Sequence, residues 1–176
     1  MSRTSRLAAA LGVFVLVLAL YHPPAPLAQP GAPDVGQKAP DFKLEPIGGG
    51  RPFSLSQFKG KPVVLVFWAT WCGPCRREIP ALKELYQTYT QKGVQVVTVT
   101  IEYRQTREQV VQFQQTNQLP YIVLWDAQNK VSDAWGVEGI PTNLVVDAKG
   151  VIRFRGNALD GELVGALDAA LQASKG

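Results

Sequence analysis

Hydrophobic and polar positions follow three different rhythms along the chain. Residues 7–21 form an uncharged apolar run preceded by Arg3 and Arg6, with no further Lys or Arg until Lys38. Residues 22–37 contain five prolines and show no hydrophobic period, which predicts an extended spacer. From residue 38 to residue 174, short apolar strands alternate with amphipathic segments, as in one folded α/β domain.

Within that domain the pattern predicts two short extended pieces over 41–44 and 52–55, joined through Gly48, Gly49 and Gly50 as a β-hairpin. The run Val63-Val64-Leu65-Val66-Phe67-Trp68 is apolar without interruption, the signature of a central strand covered on both faces. A helix over 74–91, a strand over 94–101, a helix over 106–117 and a strand over 122–125 follow, an alternation that predicts a parallel sheet. A short helix over 131–135, strands over 143–146 and 151–155, and a helix over 161–173 complete the domain.

The apolar run 7–21 with its basic flank reads as an export signal that leaves the N-terminus inside and delivers the rest outside the cytoplasmic membrane. Two fates stay open for it. A length below the roughly 20 residues of a span and the prolines after it favour cleavage. Pro26, three positions before a cut after Ala28, favours a retained anchor instead, and no cysteine is placed for lipidation. If retained, the segment makes the membrane itself a partner.

Composition narrows the chemistry. The net charge of +4 falls to +2 without Arg3 and Arg6, and the other basic residues are dispersed, which argues against nucleic acid. The only histidine is His22, so the domain has no imidazole for a hydrolase base or a metal site. No metal or cofactor is expected, and the domain is expected to act as a monomer.

Only two cysteines occur, Cys72 and Cys75, in the segment Trp71-Cys72-Gly73-Pro74-Cys75-Arg76-Arg77-Glu78. They stand where a buried strand ends and a helix begins, where free N–H groups and the helix dipole favour a thiolate. Cys72 is therefore assigned the attack on a disulfide and Cys75 the resolution of the mixed disulfide. Pro74 fixes the first helical turn and Gly73 leaves room for a partner chain. Glu78, Leu82, Leu85 and Tyr89 share one helix face, so Glu78 is expected to point partly inward, next to Cys75, with a raised pKa suited to exchanging a proton with it. The alternative is a solvated first-turn carboxylate favoured by the dipole. Pro80 removes one hydrogen bond from the same helix, and Pro141 stands before a strand where a cis peptide bond is common in tight turns.

Together these residues resemble the thioredoxin superfamily over most of residues 38–174. The resemblance rests on Phe67-Trp68-Ala69-Thr70-Trp71-Cys72-Gly73-Pro74-Cys75 before the first long helix, Pro80 five residues later, and Gly139-Ile140-Pro141-Thr142 before a strand. The export signal, the early hairpin and the additional strand-helix unit are similar to its TlpA/ResA-like branch. The resemblance implies a thioredoxin-like fold with an N-terminal β-hairpin and a central strand-helix insertion. It also implies that Pro141 is the cis-proline facing the cysteines and that Ile140 offers backbone groups to an extended substrate. Trp71 and Gly156 resemble further groove residues, though core packing is the alternative for Trp71. Glu78 and Glu102 resemble that branch's acidic positions, Glu102 as an additional proton relay or simply an exposed strand-end carboxylate. Val66 occupies a strand position that is a buried Asp in cytoplasmic thioredoxin.

The function implied is reduction of disulfides in client proteins, with apocytochrome c or a copper-site assembly protein as the client class. A membrane-spanning thiol donor would keep the enzyme reduced, because an oxidising compartment offers no thiol buffer. Three alternatives stay open on sequence grounds. The same motif can oxidise clients if its potential is high, related redoxins reduce peroxides although a Thr-x-x-Cys arrangement is missing here, and two thiolates could carry Cu(I) without turnover.

Overall fold

A computed structural model describes residues 32–175, so the leader over 7–21 and the spacer up to residue 31 lie outside the described residues. No helix among the described residues is long and apolar enough to cross a membrane.

The apolar run identified above forms β3 (Val63–Trp68), buried at every position. It pairs in parallel with β4 (Gln95–Ile101), which pairs in parallel with β5 (Ile122–Asp126). The connections are two right-length crossover helices, α1 (Gly73–Thr90) and α2 (Arg107–Asn117). Alternate residues of the central strands enter two separate cores. Val64, Val66, Trp68, Val96 and Val123 pack with Leu82, Leu85 and Tyr89 of α1 and with Leu163 and Leu167 of α4 (Gly161–Ala173). Val63, Leu65, Phe67, Val97 and Leu124 pack on the other side with Phe42, Phe58 and Trp135. A strand covered on both faces has no reason to alternate, which is why β3 reads as a continuous apolar run.

The sheet is mixed rather than parallel throughout. Its order is β2-β1-β5-β4-β3-β6-β7, where β1 (Lys43–Pro46) and β2 (Phe53–Ser54) form the expected hairpin and β6 (Thr142–Val146) runs antiparallel to β3. The reason lies in the connection before β6. The helix α3 (Lys130–Ala134) has five residues, about 7.5 Å of rise, too short to carry the chain back along the sheet. β6 therefore starts at the end where β5 stops, which is also the end where β3 delivers Cys72. A tight turn then returns β7 (Ile152–Gly156) antiparallel to β6. Asp147 holds that turn by accepting from the N–H groups of Lys149 and Val151 and from Arg153.

The far edge of the sheet is partly covered by chain that the sequence pattern assigns to the spacer. Gly36 donates to Ile152 O, Ile152 donates to Gln37 O and Ala39 donates to Gly150 O. Pro33 is buried, and the Arg155 guanidinium donates to Pro33 O at 3.4 Å and to Gly136 O at 2.7 Å. Residues 32–37 thus belong to the folded unit, and the pairing blunts an exposed strand edge.

Candidate active site at the start of helix α1

Cys72 is the N-cap residue of α1 and Pro74 occupies its first turn. The two cysteines are joined as a disulfide, with Cα atoms 5.3 Å apart. The Cys75 N–H points at Cys72 Sγ over 3.2 Å, so the sulfur takes the place that a Ser or Asp oxygen fills at other helix starts. On reduction the same N–H and the positive end of the helix would face a Cys72 thiolate. No acidic residue lies in the first turn to oppose this. Cys72 and Cys75 are both buried, while Trp71, Gly73 and Pro74 between and beside them are exposed.

The Ile140–Pro141 peptide bond is cis. Ile140 O lies 3.6 Å from Cys72 Sγ, which brings the loop before β6 against the disulfide. Pro74, Ile140, Pro141 and Gly156 line one open recess of about 760 Å³ together with Pro33 and Arg155. Four residues singled out in the sequence, spread over α1, the β6 entry and the end of β7, thereby share one recess, which Pro74 and Ile140 join to Cys72. Gly156 has its own steric reason, because a Cβ there would stand 2.6 Å from the Phe154 ring.

Glu78 lies in the second turn of α1, which begins at Gly73, so it is not the first-turn carboxylate weighed from sequence. Its side chain is half-buried and shares a small cavity with Cys75, Val66, Trp68, Tyr121 and Pro141. Burial raises its pKa above the ordinary carboxylate value. A hydrogen bond from Asn143 and one from the Leu159 backbone oppose the rise, and the nearby Asp160 charge adds to it. The helix face expected from the spacing holds: Leu82, Leu85 and Tyr89 are buried behind Glu78.

Trp71 is not a core residue. It is 43% exposed, donates its indole N–H to Tyr103 O at 2.7 Å and meets the Tyr103 ring edge-on at 5.9 Å. Glu102 stands at the end of β4, where its carboxylate accepts from the Gln128 N–H and its own N–H donates to Asn129. These contacts brace the β5–α3 turn, and Glu102 does not line the cavity that holds Cys75 and Glu78.

Three residues of the site carry no signal in the sequence. Gln105 is 8% exposed, accepts from both the N–H and the hydroxyl of Thr70, and donates to Thr100 and to Ile101 O. It ties the loop carrying Trp71 to the loop carrying Tyr103. Asn143, wholly buried on β6, donates to Glu78 at 3.2 Å. Arg155 clasps residue 33 against the rim of the recess. Each reads as an ordinary polar residue until its neighbours are known.

Residues 35–155 match the AhpC/TSA family. The chain is 37% identical over 119 residues to the thiol-disulfide oxidoreductase ResA of Geobacillus thermodenitrificans, covering 68% of this chain and 67% of that one. It is 40% identical over 118 residues to the thioredoxin-like protein YneN of Bacillus subtilis, covering 67% and 68%. A putative thiol:disulfide interchange protein DsbE from Chlorobium tepidum superposes with a TM-score of 0.69 and 31% identity, covering 82% of this chain and 99% of that one. With the Cys72–Cys75 disulfide at the head of α1 and Pro141 against it, the chain belongs to the AhpC/TSA family and is a thioredoxin-like thiol-disulfide oxidoreductase.

Proposed function

We propose that the protein is an extracytoplasmic reductase of client-protein disulfides, carrying out attack through Cys72 and release through Cys75. The observation that carries this reading is the placement of a Cys72–Cys75 disulfide against Ile140 of the cis Ile140–Pro141 loop, which also lines an open recess with Pro74 and Gly156. In the reduced enzyme the Cys72 thiolate attacks one sulfur of a client disulfide, forms a mixed disulfide with it and expels the other client sulfur as a thiolate. Cys75 loses its proton to Glu78 and attacks Cys72 Sγ, and the client sulfur leaves with the electron pair. Two electrons pass from the enzyme to the client, and the Cys72–Cys75 bond re-forms.

Ile140, Trp71, Gly73, Pro74, Pro141 and Gly156 form the client-facing surface in this reading. Glu102 holds the β5–α3 turn in this reading, through the Gln128 N–H and the Asn129 side chain. The export signal over 7–21 supports a location outside the cytoplasmic membrane, tethered or released. Apocytochrome c or a copper-site assembly protein is the client class, and a membrane-spanning thiol protein supplies the electrons.

Trapping clients with Cys75→Ser tests the reading. A stalled mixed disulfide on Cys72 identifies the client directly, and its absence when Cys72 is also replaced confirms the attacking sulfur. A reduction potential near that of a strong oxidant would overturn the reductase direction. Since 30 mV corresponds to about 1.4 kcal/mol for this couple, the measurement discriminates sharply.

A further inference from the structure

We infer that Asn143 is a positioning residue for Glu78, built to serve both of its protonation states from one buried amide. The inference rests on the proton exchange proposed above for Glu78, and it assigns the partner that makes such an exchange tolerable inside the domain.

Asn143 lies on β6, opposite Val66 on one side and Gly156 on the other. It is wholly buried in a strand whose next residues, Leu144, Val145 and Val146, are buried and apolar. Its Nδ2 donates to Glu78 Oε2 at 3.2 Å. Its Oδ1 has no hydrogen-bond partner among the described residues. A buried amide with one half unpaired is unfavourable. If Glu78 stayed ionised, the unpaired oxygen would serve no purpose.

The oxygen acquires a purpose once Glu78 alternates between acid and base. An ionised carboxylate only accepts hydrogen bonds, whereas the protonated acid has an O–H to donate. A donor such as Lys would match only the first state. A primary amide carries a donor and an acceptor on one planar group, and its terminal torsion is broad and roughly two-fold. A half-turn of the Asn143 amide therefore exchanges N–H for C=O at the same place in space. Before release, Nδ2–H holds the Glu78 carboxylate. When the Cys75 thiol gives up its proton and its sulfur attacks Cys72, Glu78 becomes the acid and its O–H donates to Asn143 Oδ1. The proton then returns to the departing client thiolate or to water, and the amide turns back.

Among the described residues, Asn143 supplies the side-chain hydrogen bond to Glu78, and no other side chain around it does. Cys75 on α1 is the reacting partner. Asp160, the N-cap of α4, contributes negative charge. Tyr121, ahead of β5, and Thr98 of β4 line the same cavity with hydroxyls that can donate or accept, but neither is hydrogen-bonded to Glu78; burial pushes the Tyr121 pKa up, and Thr98 donates to Ile122 O at 3.1 Å. Trp68 and Val66 from β3 bring no titratable group. Leu159 supplies a backbone N–H, which donates only.

The test is a pH titration of the Glu78 side-chain carbonyl carbon by NMR on the oxidised full-length protein, for the wild type, Asn143→Leu and Asn143→Asp. Asn143→Leu removes a charge-assisted bond to the ionised form and a weaker one to the acid, so the Glu78 midpoint rises by roughly 0.5–1 unit. Asn143→Asp places a second carboxyl against Glu78, and the pair titrates in two steps on either side of the wild-type midpoint. Because Asp is isosteric, that variant keeps the test open if Leu disturbs the strand. A Glu78 midpoint within about 0.2 unit of wild type in both variants, with no splitting in the second, overturns the inference. The role of Glu78 in turnover is read separately, from the pH profile of client release in Glu78→Gln, so the two readings fail on different measurements.

Discussion

The side-chain oxygen of Gln105 accepts hydrogen bonds from both the backbone N–H of Thr70, at 2.9 Å, and its hydroxyl, at 2.6 Å. Its amide nitrogen donates to Thr100 at 2.7 Å. One buried amide thus pins the segment that leads from β3 to Cys72 onto the end of β4. Gln105→Leu removes the partner of groups on the half-buried Thr70 and Ile101 and on the buried Thr100, each worth about 1–3 kcal/mol when fully sequestered. Since Thr70 keeps some access to water, the expected loss is about 2–3 kcal/mol, read by urea unfolding of the oxidised protein. An unchanged midpoint would show that the loop holds itself.

The raised pKa of Glu78 makes a signed prediction about stability. An acid whose pKa is higher in the folded state binds more protons folded than unfolded between the two pKa values, so stability falls as pH rises through that window. Glu78→Gln removes the penalty. The variant should be more stable than wild type at pH 8, with the difference shrinking as pH falls from the raised folded value to the ordinary carboxylate range and levelling off below it. Water reaches part of the carboxyl, so the gain stays below about 1 kcal/mol. Thermal unfolding at several pH values checks both the sign and the window.

Gly156→Ala introduces a Cβ that would stand 2.6 Å from the tip of the Phe154 ring. The ring can yield, so the expected cost is about 1 kcal/mol rather than a failure to fold. The displaced ring alters the recess beside Pro141, and reduction of a protein disulfide should slow more than reduction of a small aromatic disulfide. Equal slowing of both would place Gly156 outside the client-facing surface.

Arg155→Met keeps the apolar stem and removes the hydrogen bonds to Pro33 O and Gly136 O. Loss of the clasp should cost about 1–2 kcal/mol and release residues 33–37 from the sheet edge. Hydrogen exchange at Gly36, whose N–H bonds to Ile152 O at 2.9 Å, should then accelerate while β3 stays protected. Unaltered protection at Gly36 would mean that the strand-edge bonds suffice without the clasp.

The elements of the domain were legible because each announces itself locally. β3 is apolar at six successive positions, α1 repeats its apolar face at helical spacing behind Glu78, and Pro74 with Cys72 marks a helix start. The cysteine pair needed no tertiary information, since their three-residue separation and the helix geometry alone bring the sulfurs together. Even the inward lean of Glu78 follows from periodicity.

Strand direction and the site's supporting cast were decided only by tertiary packing. The alternation of strands and helices suggested a parallel sheet, but the short α3 forces β6 to start beside Cys72 and run against β3. Asn143 reaches Glu78 across 65 residues, Gln105 reaches Thr70 across 35, and Arg155 reaches Pro33 across 122. Gln, Asn and Arg carry no periodic signal, because a polar side chain looks the same in sequence whether water or a buried neighbour satisfies it. The redox chemistry is a local property, because it depends on residues three apart. The tertiary structure alone determined how that chemistry is held, because hydrogen-bond partners in a folded core are chosen by proximity in space.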